Sequence, residues 1–373
     1  MNKIGILNYQ YSNHNYGAVL QAAALSEYIN TNIGVTAEHI NYIPNFKVVG
    51  ILNKSKKLVK KVLLTFGLFK TEKIDHEAIL NKETFENFRT QWLPRTNAVY
   101  TSLDELQEKN FSYTHVIVGS DQVWRPSYAG TESLVYFLSF LNNDVKKISY
   151  AASFGTDKWD LEQAATDLIS EQVNKFSAVS VRESSGVELC QDVFGINAQH
   201  VLDPTLLVGR EFFDRICHST EHKKSSGIVY YKLDKSDDFL ELLSSFEQQL
   251  GFNSKDIYFD KFNGDAAYHN VDDWLSYIKN SEFVITDSYH CVCFAILFEK
   301  PFLCYPNPTR GLARIHSLLK LLGLEKHFYD GESKCQDIIS ELMSVDYKKI
   351  ELRLTELRIE SANFLKLALS IKE

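Results

Sequence analysis

The stretch Phe283–Tyr305, FVITDSYHCVCFAILFEKPFLCY, decides the fold. Its first four residues are apolar or β-branched and read as a strand buried on both faces, as in a parallel sheet. Asp287 and Ser288 supply side-chain oxygens that can cap the helix beginning just beyond them. That helix, CVCFAILF, is apolar on every side and must therefore be buried. Pro301–Tyr305 is the next strand. The unit is strand, turn, helix, strand, so Asp287, Ser288, Tyr289 and His290 fall at the carboxyl end of a strand, facing the free N–H groups of a helix start. Open α/β sheets bind ligands at that edge. His290 has two readings, a catalytic imidazole or a hydrogen-bonded core residue. Four polar groups in one turn, held rigid by a buried helix, favour chemistry.

Working outward, the same alternation recurs on both sides. Before the central unit lie the strand GIVYYKL, a helix over Asp237–Leu250, a strand DIYFDKF and a helix over Asp272–Lys279. After it come Arg310 and Arg314, an amphipathic segment IHSLLKLLGL and a charged helix from Tyr347 onward. Upstream, HSTEHKKSSG around 218–227 is the best linker in the chain. Ahead of that linker a second α/β series begins with the strand Ile4–Leu7, the polar loop NYQYSNHNYG and a helix over Ala18–Ile29. Further strands are read at Thr114–Val118, Lys147–Tyr150 and Ala178–Val181, and VLDPTLLV closes the half. The expected division is a first lobe over 1–217 with a helical excursion at about 54–93, a second over 218–346, and a C-terminal helix over 347–373. Two such α/β halves bound a cleft made of strand ends.

The strand ends of the first half carry further candidates. Asn15, Tyr16 and Gly17 stand at a helix start in a loop rich in amides and ring hydroxyls, suited to sugar hydroxyls or a phosphate, or else to a plain Asn cap with a Gly turn. Gly119-Ser-Asp-Gln-Val-Trp124 is a sharp turn; Asp121 can accept a proton from a bound hydroxyl or can close an Asx-turn. Arg182 places a guanidinium at a strand end, fit for bidentate contact with carboxylate or phosphate, with Glu183 as an alternative structural partner.

Composition limits the function classes. The chain has 373 residues, is 45% hydrophobic and 24% charged, and has a net charge of −8, which describes a soluble globular protein and argues against general nucleic-acid binding. MNKIGILNYQ runs directly into a strand with no signal-peptide pattern, so a cytoplasmic location is expected. The basic segment Lys54–Lys70, KSKKLVKKVLLTFGLFK, reads first as a surface helix covering a domain edge and second as a peripheral contact with the inner face of an anionic membrane. The six cysteines lack paired CxxC spacing, so reduced thiols are expected and no metal site. No Walker A loop, dinucleotide fingerprint, HExxH or calcium-loop pattern occurs, and nothing in the sequence requires a cofactor.

Taken as an ordered set, NYGAVLQAAAL at 15–25, VGSDQVW at 118–124, YAASFG at 150–155, SVRE at 180–183, LDPTLL at 202–207 and ITDSYH at 285–290 resemble the polysaccharide pyruvyl transferase family. The resemblance implies an α/β fold of two Rossmann-like lobes facing a cleft, GT-B-like, with the acceptor on the N-terminal lobe and the donor on the C-terminal one. It implies transfer of a carboxyethylidene group from phosphoenolpyruvate to two hydroxyls of a sugar, carried on a nucleotide, a lipid or a polymer. His290 corresponds to the family's proposed catalytic histidine and Arg182 to an expected anion ligand. Two positions depart from the pattern: Ser288 stands where many members carry Arg, and Cys291 where they carry Gly. The chemistry needs an acid for the methylene carbon, a base for the attacking hydroxyl and cations for the donor. Expected roles are therefore His290, Asp287 and Asp121 in catalysis, Arg182, Ser288, Arg310 and Arg314 at the donor, and Asn15, Tyr16, Gly17, Ser120 and Trp124 at the acceptor. The alternatives are a GT-B glycosyltransferase using a nucleotide sugar and a non-catalytic glycan-binding protein.

Overall fold

Short runs such as HVIV at 115–118 and FVIT at 283–286 are apolar on both faces, so they form strands only in the middle of a sheet covered by helices on both sides. The computed structural model, which describes residues 3–44, 76, 78–109, 111–125, 133–217, 227–232, 235–262, 264–307 and 312–370, builds two such sheets. The first holds β1 (Lys3–Leu7), β2 (Thr36–His39), β3 (His115–Val118), β4 (Lys146–Ala152), β5 (Phe176–Val181) and β6 (Gln199–His200), all parallel, in the order β2-β1-β3-β4-β5-β6. Next come β7 (Ile228–Tyr231), β8 (Ser254–Asp256), an antiparallel hairpin β9–β10 (Phe259–Phe262 and Asp265–Tyr268), β11 (Phe283–Thr286) and β12 (Phe302–Cys304). Of these, β12-β11-β7-β8 form the second parallel sheet. The fold is α/β with two Rossmann-like lobes facing a cleft, in the GT-B manner.

In each sheet the strand order reverses once, between β1 and β3 and between β7 and β11. At such a switch the connections leave in opposite directions and open a crevice above the strand ends. The loop after β1 and the turn after β3 flank the first crevice; Tyr231 and Asp287 flank the second. The two crevices meet because the sheets share one apolar cluster. Tyr16, Val19 and Leu20 of the helix Tyr16–Tyr28 pack with Trp274, Tyr231 and Phe294 from the second sheet's side. The Tyr16 and Trp274 rings stack 5.0 Å apart at 6°, and Tyr16 Oη donates to the His269 carbonyl at 3.1 Å. This contact is a core, buried to the same degree as either sheet's own interior.

The helix Tyr347–Ala368 runs back to the first sheet. Leu365 and Leu369 bury against Ile4, Ile6 and Tyr150. Ser361 Oγ accepts the Leu202 amide at 3.0 Å, and Arg358 Nε donates to the Leu206 carbonyl at 2.8 Å.

Two sequence expectations are corrected. DIYFDKF is not one strand: Asp256 Oδ1 accepts the Tyr258 amide at 2.9 Å, an Asx-turn that ends β8 and redirects the chain into β9. The helix Tyr289–Leu297 is fully buried as expected, but neither Asp287 nor Ser288 caps it through its side chain. Instead, Ser288 donates its own amide to Thr286 Oγ1 at 3.0 Å, and the Asp287 carboxylate is engaged elsewhere. The segment Lys54–Lys70, Arg310 and nearly all of the 218–227 linker lie outside the described residues. Among the described residues no helix is long and apolar enough to cross a membrane.

Candidate active site

A cavity of about 320 Å³ lies where the two crevices meet, lined from the first sheet's side by His14, Asn15, Asp121 and Gln122, and from the second's by Tyr231, Tyr258, Asp287, Ser288, Tyr289, His290 and Arg314; His76 completes the wall. Its size sits at the small end of ligand pockets.

His290 is buried in this wall, at the start of a helix whose every residue is buried. Opposite it is Gly17. A Cβ at that position would sit 2.1 Å from His290 Nδ1, so only glycine lets the ring approach the helix start. The other ring nitrogen, Nε2, lies 3.6 Å from Asp203 Oδ2 and 3.4 Å from Arg182 Nη1. Arg182 and Asp203 form a fully buried ion pair at 2.7 Å. Ser120 Oγ donates to the same Asp203 oxygen at 2.9 Å and accepts from Arg182 at 3.1 Å. The far Asp203 oxygen takes the Thr205 amide and hydroxyl at 2.9 and 2.8 Å. Burial alone would raise the Asp203 carboxyl; His290 and Arg182 overcome that and hold it well below the usual carboxylate range. An ionised carboxylate thus stands behind the imidazole.

Arg182 therefore does not line the cavity. Its guanidinium is sequestered with Asp203, 3.5 Å from Asp121 and 4.4 Å from the centre of the Tyr289 ring. Direct ligation of a donor by Arg182, expected from the sequence, is corrected to a place behind His290. Glu183 is not its partner: that carboxylate accepts Ser153 Oγ and the Phe154 and Gly155 amides at 3.0, 2.8 and 3.1 Å. Asp287 is also reassigned. Its Oδ2 takes Lys232 Nζ at 2.7 Å and Asn307 Nδ2 at 3.1 Å, so this oxygen serves the turn's own ion pair.

Asp121 does line the cavity, in a left-handed conformation with φ 81°. Such backbone is uncommon for a non-glycine residue, and here the Asp121 carbonyl holds it by accepting the Ser153 amide at 3.0 Å. Its Oδ1 receives the Gln122 amide at 2.9 Å. Arg314 is brought in by the helix Ala313–Leu322, which Ser317 fastens to the first lobe by accepting the Ser184 amide at 3.0 Å. The Arg314 guanidinium stands 5.7 Å from the Tyr289 ring centre.

Of the expected acceptor residues, Asn15 lines the cavity while its Oδ1 caps the helix by accepting the Ala18 amide at 3.2 Å. Tyr16 is in the inter-sheet core, and Ser120 is buried in the Asp203 network. Trp124 is a correction: it is core, stacked on Phe137 with its Nε1 donating to the Tyr136 carbonyl at 3.0 Å.

All the cavity-lining residues except His14 and Arg314 fall inside a stretch with known relatives. Residues 15–308 match the model of the family described as polysaccharide pyruvyl transferase. The chain belongs to that family. Comparison with curated proteins gives no match. Among solved structures, the family fold of this pyruvyl transferase-family chain is similar to a Staphylococcus aureus MnaA–UDP co-structure, at TM-score 0.55 and 10% identity, covering 100% of this chain and 98% of that one. It is also similar to Methanocaldococcus jannaschii UDP-GlcNAc 2-epimerase in complex with UDP-GlcNAc and UDP, at TM-score 0.50 and 8% identity, covering 93% and 94%. At such identities the likeness is one of fold.

Asp203, Lys232, Asn307, His14 and His76 belong to the site or its support without being expected there from the sequence. Asp203 and His14 stood inside segments already singled out, LDPTLL and NYQYSNHNYG. Lys232 ends a strand read as GIVYYKL, where a lone charge on an apolar run was the available signal. Nothing local marks His76.

Proposed function

We propose that this family member transfers a pyruvyl (carboxyethylidene) group from phosphoenolpyruvate to two hydroxyls of a sugar of a cell-surface polysaccharide or its precursor, forming a ketal. The observation that carries the reading is the position of His290: a cavity-lining imidazole backed by a buried, ionised Asp203. That carboxylate faces Nε2 at 3.6 Å, while the Nδ1 side of the ring packs against Gly17. Arg182 Nη1 lies 3.4 Å from the same Nε2, so the buried ion pair fixes the orientation of the ring.

In this scheme the protonated imidazole gives its proton to the methylene carbon of the donor, and positive charge develops at C2. A sugar hydroxyl adds there. The C2–O bond to phosphate then breaks with its electron pair on the phosphate oxygen, and the second hydroxyl closes the ring. Of the two hydroxyl protons, one restores the imidazolium and the other leaves with inorganic phosphate. Asp121, which lines the cavity, takes the first of them. Arg314 holds the donor's carboxylate, and Lys232 balances Asp287 so that the turn presents no net charge to an anion. Acid or base assistance of this kind contributes about 100- to 10,000-fold.

The test is His290→Gln. Turnover, read as phosphate released from phosphoenolpyruvate with a panel of sugar acceptors, should fall by about 100-fold or more while the melting temperature is kept. A variant that melts lower yet turns over normally would make His290 a core residue and sink the assignment. The ligands of the two fold neighbours, UDP and UDP-GlcNAc, make a nucleotide sugar the rival donor. Tight binding of UDP with no binding of phosphoenolpyruvate would decide for it.

A further inference from the structure

We propose that His14 and His76 form a second anion subsite in this cavity, one that holds the phosphate group of the donor; the inference rests on the phosphoenolpyruvate reading above. The donor carries two anionic groups, and the cavity must offer cationic or N–H donors to each. Among the described lining residues there is one arginine, Arg314, and no lysine. Arg182 is sequestered behind His290 with its side chain fully buried, and Ser288 is neutral. Three histidines line the wall, and His290 is engaged in the proton transfer. The remaining donors are His14 and His76.

These two rings are arranged as a pair. Their centroids are 4.7 Å apart at 31°. His14 comes from the loop after β1, one residue before the Asn15 cap, and His76 arrives from a distant part of the chain. Leu80, just beyond it, bridges the edge strand β10, its amide donating to the Ala266 carbonyl and its carbonyl accepting the Tyr268 amide, each at 3.0 Å. The Tyr268 hydroxyl lies 2.6 Å from His76 Nδ1 and the two rings are nearly coplanar in stacking, 6.4 Å apart at 7°. One lobe thus supplies His14, and a segment docked on the other supplies His76, so an anion held at the adjoining edges of the two imidazoles bridges the lobes. Imidazole N–H groups donate to phosphate oxygens as charge-assisted bonds, which are the strong ones. With Arg314 beside Tyr289 and His290, the carboxylate and phosphate of one small molecule find separate partners on either side of the reacting carbon.

The experiment is calorimetric titration of the whole chain with inorganic phosphate and, separately, with pyruvate, in the parent, in His14→Phe and in His14→Phe/His76→Phe. Phenylalanine keeps a ring for the stacking and removes the N–H donors. The double variant should bind inorganic phosphate at least about tenfold more weakly while pyruvate affinity stays within about twofold. His14 is exposed, so His14→Phe alone keeps the fold and should still weaken phosphate binding by about threefold or more. Equal phosphate affinity in all three proteins, or no phosphate binding by the parent, would overturn the subsite. Phosphate binding that depends on the two histidines, in a chain that releases no phosphate from phosphoenolpyruvate, would uphold the subsite and contradict the donor reading.

Discussion

Gly17 and Asp203 carry the site's geometry at the residue scale. Gly17→Ala adds a methyl where His290 Nδ1 already is, 2.1 Å from the new carbon, so the ring must swing away. We expect turnover to fall by about 100-fold or more with a loss of stability near 1–3 kcal/mol, the range for overpacking; circular dichroism melts and phosphate release on one preparation check both. Asp203→Asn takes the nearest carboxylate from the buried Arg182 charge, leaving Asp121 at 3.5 Å, and should cost about 3–5 kcal/mol by denaturant titration. The linked pH effect has a definite sign. The folded carboxyl is depressed relative to its unfolded value, so its stabilisation is fully present above about pH 4 and is lost as pH falls below that, toward the folded value. At this scale the sequence was most legible where a residue sits in the turn it names, as His290 does. It was least legible where partners come from afar. Asp203 is 87 positions from His290, by the difference of their numbers, and only the packing of two sheets brings them together.

Among the elements, the helices and parallel strands were readable because an apolar run bounded by turn residues has few other fates. The helix Tyr289–Leu297 is the clearest instance, with all nine of its residues buried. DIYFDKF failed for a local reason: an aspartate competes for the backbone amide two residues on, and alternation of apolar residues does not reveal that competition. The C-terminal helix was legible as a helix but not as a strap. Its Leu365 is fully buried against the first sheet. Leu365→Ala should therefore destabilise the protein by about 2–5 kcal/mol, the range for a buried leucine, whereas Leu352→Ala, at an exposed position of the same helix, should stay within about 0.5 kcal/mol. Urea midpoints of the two variants decide whether the helix is integral to the fold.

Over the whole molecule, the alternating pattern made two α/β halves readable, while the shared core around Tyr16 and Trp274 was not, since aromatic residues 258 positions apart carry no mark of each other. Burial within this fold also sets its acid response. His39 and His327 are buried and their imidazoles are lowered to about 4. The unfolded chain titrates them near 6.5, so it binds more protons between those values and stability falls as pH drops from about 6.5 toward about 4, by roughly 1.4 kcal/mol per pH unit for each ring. Urea midpoints from pH 7 to pH 5 should decline, and His39→Gln with His327→Gln should flatten the slope. The most direct test of pyruvyl transfer itself is the mass of the product methyl group when phosphoenolpyruvate and acceptor react in deuterated water. Protonation of the methylene carbon by His290 places one deuterium in the ketal methyl, and that label should form about 100-fold more slowly with His290→Gln. A ketal carrying no deuterium, or a labelled one formed at the parent rate by His290→Gln, would contradict it.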